Sequence, residues 1–136
     1  MPTLEEVNEQ LKLSSDLTRF IDYDEVDYLP NILIDGEKIK EIVTAVRDTG
    51  LGIFDYENGI LVATDKRIIF IDSRWFGRTE IDFPYDNIDM LGYRSSIFFA
   101  DIIIITGGSE KIFKRIWKRQ GERFLNSARS TKKIFK

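Results

Sequence analysis

From Gly59 to Asp72 the chain reads GILVATDKRIIFID, two apolar runs separated by a short polar turn. Side chains alternate across a strand, so runs with almost no polar position predict a β-hairpin in which both faces need cover. The pattern recurs along the chain. Before the hairpin, KIKEIVTAV predicts a strand and DTGLGIFDYENG a Gly-containing connection. After it, beyond the loop SRWFGR, come EIDFPY, NIDMLGYRS, DIIIIT, a Gly107-Gly108 turn and EKIFKRI. Seven strands on short turns, with no helix between them, predict an antiparallel barrel or sandwich rather than a parallel α/β sheet. The last strand is open to a second reading, because Ile112, Ile116 and Trp117 also fit a helical stripe. The Gly107-Gly108 turn between two β-branched runs favours the hairpin.

Helical patterns flank the strands. Thr3 followed by Glu6 makes a capping box, and Leu4, Val7, Leu11 and Leu17 lie at near-helical spacing, predicting an amphipathic helix from about Leu4 to Phe20 with a break near Ser14 and Ser15. Asp24 is placed to cap a short helical segment, and Asp35-Gly36 supplies a turn into the first strand. A terminal helix is expected from about Lys118 to Phe135. In EIDFPY, Ile81, Phe83 and Tyr85 alternate with Glu80, Asp82 and Pro84, as in a strand with one face in water, and Pro84 marks an edge or a bulge. Ile68 to Ile71 and Ile102 to Ile105 are unbroken apolar runs instead. A small barrel buries only its inner face, so the outer face needs the N-terminal helix, the terminal helix or another copy of the chain. Ile102 and Ile104 are the candidate residues for self-association.

Composition limits the chemistry. The 136 residues fit a single domain with a real core, and neither Cys nor His occurs. That removes disulfides, His- and Cys-based zinc sites, and Ser/His or Cys/His nucleophile pairs. No cofactor or metal site is expected. The acidic start MPTLEEVNEQLK lacks the features of a signal peptide, and no stretch approaches 18 uninterrupted apolar residues, so a soluble, cytoplasmic chain is expected. Charge is unevenly spread: residues 1–60 carry a net −9, residues 61–110 a net −3, and residues 111–136 a net +9. The basic tail reads either as a footprint for phosphate-bearing partners or as a solvated helix face paired with the acidic third.

The succession LPNILIDGEKI, NGILVATDKRIIFID, FPYDNIDMLGYRS, IFFADIIIIT and KIFKRIWKRQGERF resembles the bacterial pleckstrin-homology (PH) domains, particularly the small YokE-like group. The resemblance runs from about Leu29 to Phe124, with ATDKRIIFID and PYDNID its most specific parts. It implies a mainly β (α+β) fold: a PH-like seven-stranded antiparallel barrel of two sheets capped by a C-terminal helix. On this division residues 1–28 form an N-terminal amphipathic helical extension and residues 29–136 the PH-like barrel. It also implies a non-catalytic interaction module, because PH-like domains bind lipids, proteins or peptides, and the bacterial members tend to self-associate. Lipid-binding PH domains of eukaryotes place basic residues on the first connection. Here that connection carries Asp48, Asp55 and Glu57 with only Arg47 nearby, which does not fit an inositol-phosphate pocket.

Two partner surfaces remain. Arg74, Trp75, Phe76 and Arg78 set two aromatics between two cations, suited to a membrane interface or a protein partner, or else to packing at the barrel mouth. Lys114, Arg115, Lys118 and Arg119 would each add about 1 kcal/mol of attraction to an anionic membrane. Acids lying within about 8 Å of that surface would oppose it. The expected partners are therefore the chain itself, an unidentified protein, and an anionic membrane at its inner face; the acidic balance argues against nucleic acid. The remaining constellations have plainer readings. Asp65, Lys66 and Arg67 are explained by turn chemistry. Gly50-Leu51-Gly52 lacks the residues of a phosphate loop. Asp22, Asp24 and Asp27 lack the Gly and distal Glu of a calcium loop. Glu80 and Asp82, about 7 Å apart on one strand face, are an acid/base pair only if they line a pocket.

Overall fold

The computed structural model describes residues 3–12, 24–48, 56–74 and 77–133. In order these form α1 (Leu4–Lys12), a 3-10 turn (Asp24–Tyr28), α2 (Leu29–Ile32), β1 (Ile39–Asp48), β2 (Tyr56–Thr64), β3 (Arg67–Arg74) and β4 (Gly77–Pro84). A second 3-10 turn (Tyr85–Asn87) then leads to β5 (Met90–Ser95), β6 (Phe99–Thr106), β7 (Ser109–Trp117) and α3 (Lys118–Lys133). The expected strands are all present, and the segment from Glu110 is a strand as far as Trp117. Thr3 caps α1, its hydroxyl accepting a hydrogen bond from the Glu6 N–H at 3.1 Å. Gly36, Gly107 and Gly108 take positive φ at the turns where glycine was expected.

The expected barrel of two sheets is not what forms. The strands make one continuous antiparallel sheet in the order β4-β3-β2-β1-β7-β6-β5, and no ladder joins β4 to β5. The sheet is open. The edge strand β4 ends at Pro84, which has no N–H to donate, and the chain leaves it directly in the 3-10 turn. Pro84 thus sits on an edge, as its sequence context predicts. The β1–β7 junction is short, with Val46 opposite Lys114 and Arg47 opposite Phe113. There the sheet folds over, because the rings of Phe83 (β4) and Phe113 (β7) meet at 5.9 Å with three strands between them in the ladder. In a flat sheet those strands would lie about 19 Å apart.

The fold gives the inner face a single core. Val43, Leu61, Phe70 and Phe83 from one half pack with Leu91, Ile102, Ile104 and Phe113 from the other. From α3, Phe124, Leu125 and Ala128 enter the same core. Gly121 permits this close approach, since a Cβ there would lie 3.3 Å from both the Ala100 Cβ and the Ile116 Cγ2. The outer face of β1–β3 has its own cover. Val7 and Leu11 of α1, with Val26, Leu29 and Leu33, bury Ile42, Ile60, Val62, Ile69 and Ile71. This is why Ile68 to Ile71 lack polar positions: Ile68 and Phe70 face the inner core, Ile69 and Ile71 the N-terminal segment. Full burial of Val7 and Leu11 stabilises by about 1.5–3 kcal/mol each.

Candidate interaction surfaces

One polar cluster is built into the interior. Glu37, just after the Asp35-Gly36 turn, has a side chain with no exposure, and Arg67, at the start of β3, has a side chain 12% exposed. The Arg67 guanidinium donates from Nε and Nη2 to the two Glu37 oxygens, both at 3.0 Å. It also donates to the Asp82 carboxylate at 2.7 Å and to the Ile32 carbonyl at 2.6 Å. The Thr64 hydroxyl donates to Glu37 at 2.6 Å and the Ile34 N–H at 3.0 Å. Burial alone would raise the Glu37 carboxyl, but the hydrogen bonds from Arg67, Thr64 and the Ile34 N–H outweigh it and hold the group below the usual carboxylate range. Burial pushes the Tyr85 phenol up, and its hydroxyl donates to the Thr64 carbonyl at 2.7 Å. Every charge in the cluster is met by a neighbour, so it serves as a clamp fixing α2 and the β2–β3 turn to the edge strand. Asp65 and Lys66 are turn residues as expected; Arg67 is the clamp's centre, which its sequence neighbours did not show.

A second feature lies at the tip of the β5–β6 hairpin. Ile97 is 81% and Phe98 65% exposed. Beside them the Trp117 ring stacks on Phe99, with centroids 4.7 Å apart and an interplanar angle of 30°. The tip is held rigidly: the Ser96 N–H donates to the Phe99 carbonyl at 2.8 Å, and the Lys118 N–H donates to the Phe98 carbonyl at 3.0 Å. Ile97, Phe98, Trp117, Lys118, Arg119 and Gln120 line a shallow cleft of about 410 Å³. The strand pattern ends one strand at Ser95 and starts the next at Asp101, and nothing in it marks the apolar connection between them as a displayed tip. The signal present in the sequence is Ser95-Ser96, turn residues placed directly before Ile97.

The third feature is the outer face of β5–β7. Register places Gly92, Ile103 and Ile112 side by side, with Met90, Ile105 and Glu110 in the next row. Ile103, Ile105 and Ile112 are half-buried, and Met90 is 55% exposed. No described helix lies on this half, whereas the N-terminal segment covers the β1–β3 half.

The predicted site residues are not brought together. Ile102 and Ile104 are fully buried in the core and offer no surface to a second copy, whereas their neighbours Ile103 and Ile105 are half-buried on the outer face. Arg74 ends β3 and Arg78 is the second residue of β4, while Trp75 and Phe76 lie outside the described residues. Strand directions put that β3–β4 end with the start of β7, whereas Lys118 and Arg119 follow the end of β7. Arg74 and Arg78 therefore lie at the opposite end of the sheet from these two cations. Lys114 and Arg115 sit in a β-bulge opposite Asp101, where Arg115 has φ +58°. Arg115 lines a separate cleft with Glu25, Thr44 and Asn58. Glu80 and Asp82 both face solvent on β4, which answers the acid/base question in favour of a solvated strand face. Among the described residues no three His, Cys, Asp or Glu side chains are grouped to hold a metal. None of the described helices is long and apolar enough to cross a membrane.

An antiparallel seven-stranded sheet folded over one core, with a C-terminal helix packed into it, defines a PH-like domain. The family model described as "Bacterial PH domain" matches residues 33–130, and the chain belongs to that family. Bacterial PH domains are non-catalytic. Among solved structures, the Vps36 N-terminal PH domain is similar at a TM-score of 0.58 and 22% identity, covering 76% of this chain and 86% of that one. The C-terminal domain of an unknown protein from Leishmania infantum is similar at a TM-score of 0.52 and 18% identity, covering 72% and 85%. At such identities the likeness is one of fold. No curated protein matches the chain significantly.

Proposed function

We propose that this PH domain is a protein-interaction module that assembles with copies of itself through the outer face of β5–β7. The observation that carries the reading is the half-covered sheet. Both halves present isoleucines outward, but the N-terminal segment buries those of β1–β3 only. Among the described residues no helix covers the row of Ile103, Ile112, Ile105 and Met90, and a face that carries apolar rows with charges of both signs at its margins suits a two-fold contact. Arg94 and Asp101, ion-paired at 3.0 Å, bound the row on one side. The test is light scattering of the chain and of Ile103→Asp across micromolar concentrations. An oligomer that the substitution converts to a folded monomer supports the reading. A native chain that stays monomeric overturns it.

The other expected activity, membrane binding through Arg74, Trp75, Phe76 and Arg78 together with the basic C-terminal segment, has less support. Arg74 and Arg78 lie at the opposite end of the sheet from Lys118 and Arg119, so one flat membrane would not engage all four through the surface foreseen.

A further inference from the structure

We infer that the β5–β6 tip is a docking site for an anionic lipid surface, with Ile97 and Phe98 entering the bilayer and Lys118 and Arg119 meeting the headgroups. This goes beyond the assembly reading and does not depend on it, because the Arg94–Asp101 ion pair separates the tip from the Ile103 row. Turns are normally polar, and this one displays its two largest apolar side chains to water while its backbone is tied down on both sides. A tip whose backbone is hydrogen-bonded on both sides and whose apolar side chains stand in water suits insertion into a fluid bilayer, whereas a protein partner would need a groove shaped to receive it. Trp117, half exposed and stacked on Phe99, sits at the base of the tip, where an interfacial aromatic belongs.

The charges point the same way. Lys118 and Arg119 open a 16-residue helix with no acid in its first turn. Cations are disfavoured at the positive end of the helix dipole, so this placement works against local stability and suits an external anion. The acids on these elements are Asp101, held by Arg94, Glu110, at the far end of β7 opposite Ile105, and Glu122, exposed further along α3.

The experiment is cosedimentation of the full chain with vesicles of phosphatidylcholine alone and of phosphatidylcholine with phosphatidylserine, at low and physiological salt. A Trp75→Phe chain lets Trp117 fluorescence report the contact alone. Expected are salt-sensitive binding to the serine-containing vesicles and a blue shift of Trp117. Lys118→Gln with Arg119→Gln should weaken binding roughly thirtyfold. Ile97→Ser with Phe98→Ser should weaken it by about a hundredfold or more, with an unchanged thermal melt because both side chains are exposed. Light scattering of the Ile97→Ser/Phe98→Ser chain separates the two readings: an unchanged mass is expected. Absence of binding to anionic vesicles, binding equal on both vesicle types, or binding that survives the tip substitutions overturns the inference. Loss of the oligomer in the tip variant also overturns it, and would assign the patch to contacts between copies.

Discussion

Replacing Arg67 by Met tests how far one buried ion pair holds the domain's edge. The substitution keeps much of the apolar stem but removes four hydrogen bonds, two to Glu37 and one each to Asp82 and Ile32. Glu37 is then left as a carboxylate with no side-chain exposure, held by the Thr64 hydroxyl and the Ile34 N–H alone. Breaking a buried pair from one side costs about 3–5 kcal/mol. The Asp82 arm, 37% exposed, adds little, and the two surviving donors soften the loss, so the low end near 3 kcal/mol is expected. For a chain of this size that corresponds to a fall in melting temperature of roughly 10 °C. Glu37→Gln alone should cost about 1–2 kcal/mol, because the amide still accepts one hydrogen bond. The double variant should cost less than the sum by about 1 kcal/mol or more, since the stranded charge is gone. Urea unfolding at neutral pH of the four chains measures all these terms. Strict additivity, or an Arg67→Met cost below about 1 kcal/mol, would refute the reasoning.

Other outcomes follow from the same geometry. Because Glu37 is held below its ordinary pKa of 4.5, its contribution to stability is complete above that value and is lost as pH falls through the lower folded value. Glu37→Gln should therefore flatten the acid limb of the stability profile, and an unchanged limb would count against the depressed pKa. Gly59→Ala should destabilise by about 3 kcal/mol or more, since its Cβ would stand 2.2 Å from the Ile71 carbonyl oxygen, a main-chain atom that cannot swing aside. A near-normal melt would show that β3 can move away there. Ile102→Asp should unfold the domain while Ile103→Asp leaves it folded, as circular dichroism would show; equal damage from both would contradict the assigned strand phase.

Strand number and order of elements were readable because each strand is bounded by turn residues such as Asp65, Gly107 and Gly108, and because Pro84 marks an edge by chemistry alone. Strand phase was not. Alternation reveals which residues face inward only where polar positions interrupt the run, and Ile102 to Ile105 have none; the structure turns Ile102 and Ile104 into the core. The bulge at Lys114 and Arg115 shifts phase again, and Arg115 lines a different cleft from Lys118 and Arg119. Closure was illegible for a different reason. Whether β4 pairs with β5 depends on how the sheet folds at the brief β1–β7 contact, a property of distant segments that no local pattern carries. Arg67 and Glu37 are 30 positions apart, and each looked like an ordinary polar residue beside a turn. The tip at Ile97 and Phe98 fell in the connection left between NIDMLGYRS and DIIIIT, and no local pattern tells whether apolar residues there are covered or displayed.

The central claim, that copies of this chain meet on the outer face of β5–β7, is tested most directly by isotope-filtered NMR on a mixture of labelled and unlabelled chains. The account predicts contacts between copies at the methyl groups of Ile103, Ile105 and Ile112 and none at Ile102 or Ile104. Contacts between copies confined to other surfaces, or none at millimolar concentration, would contradict it.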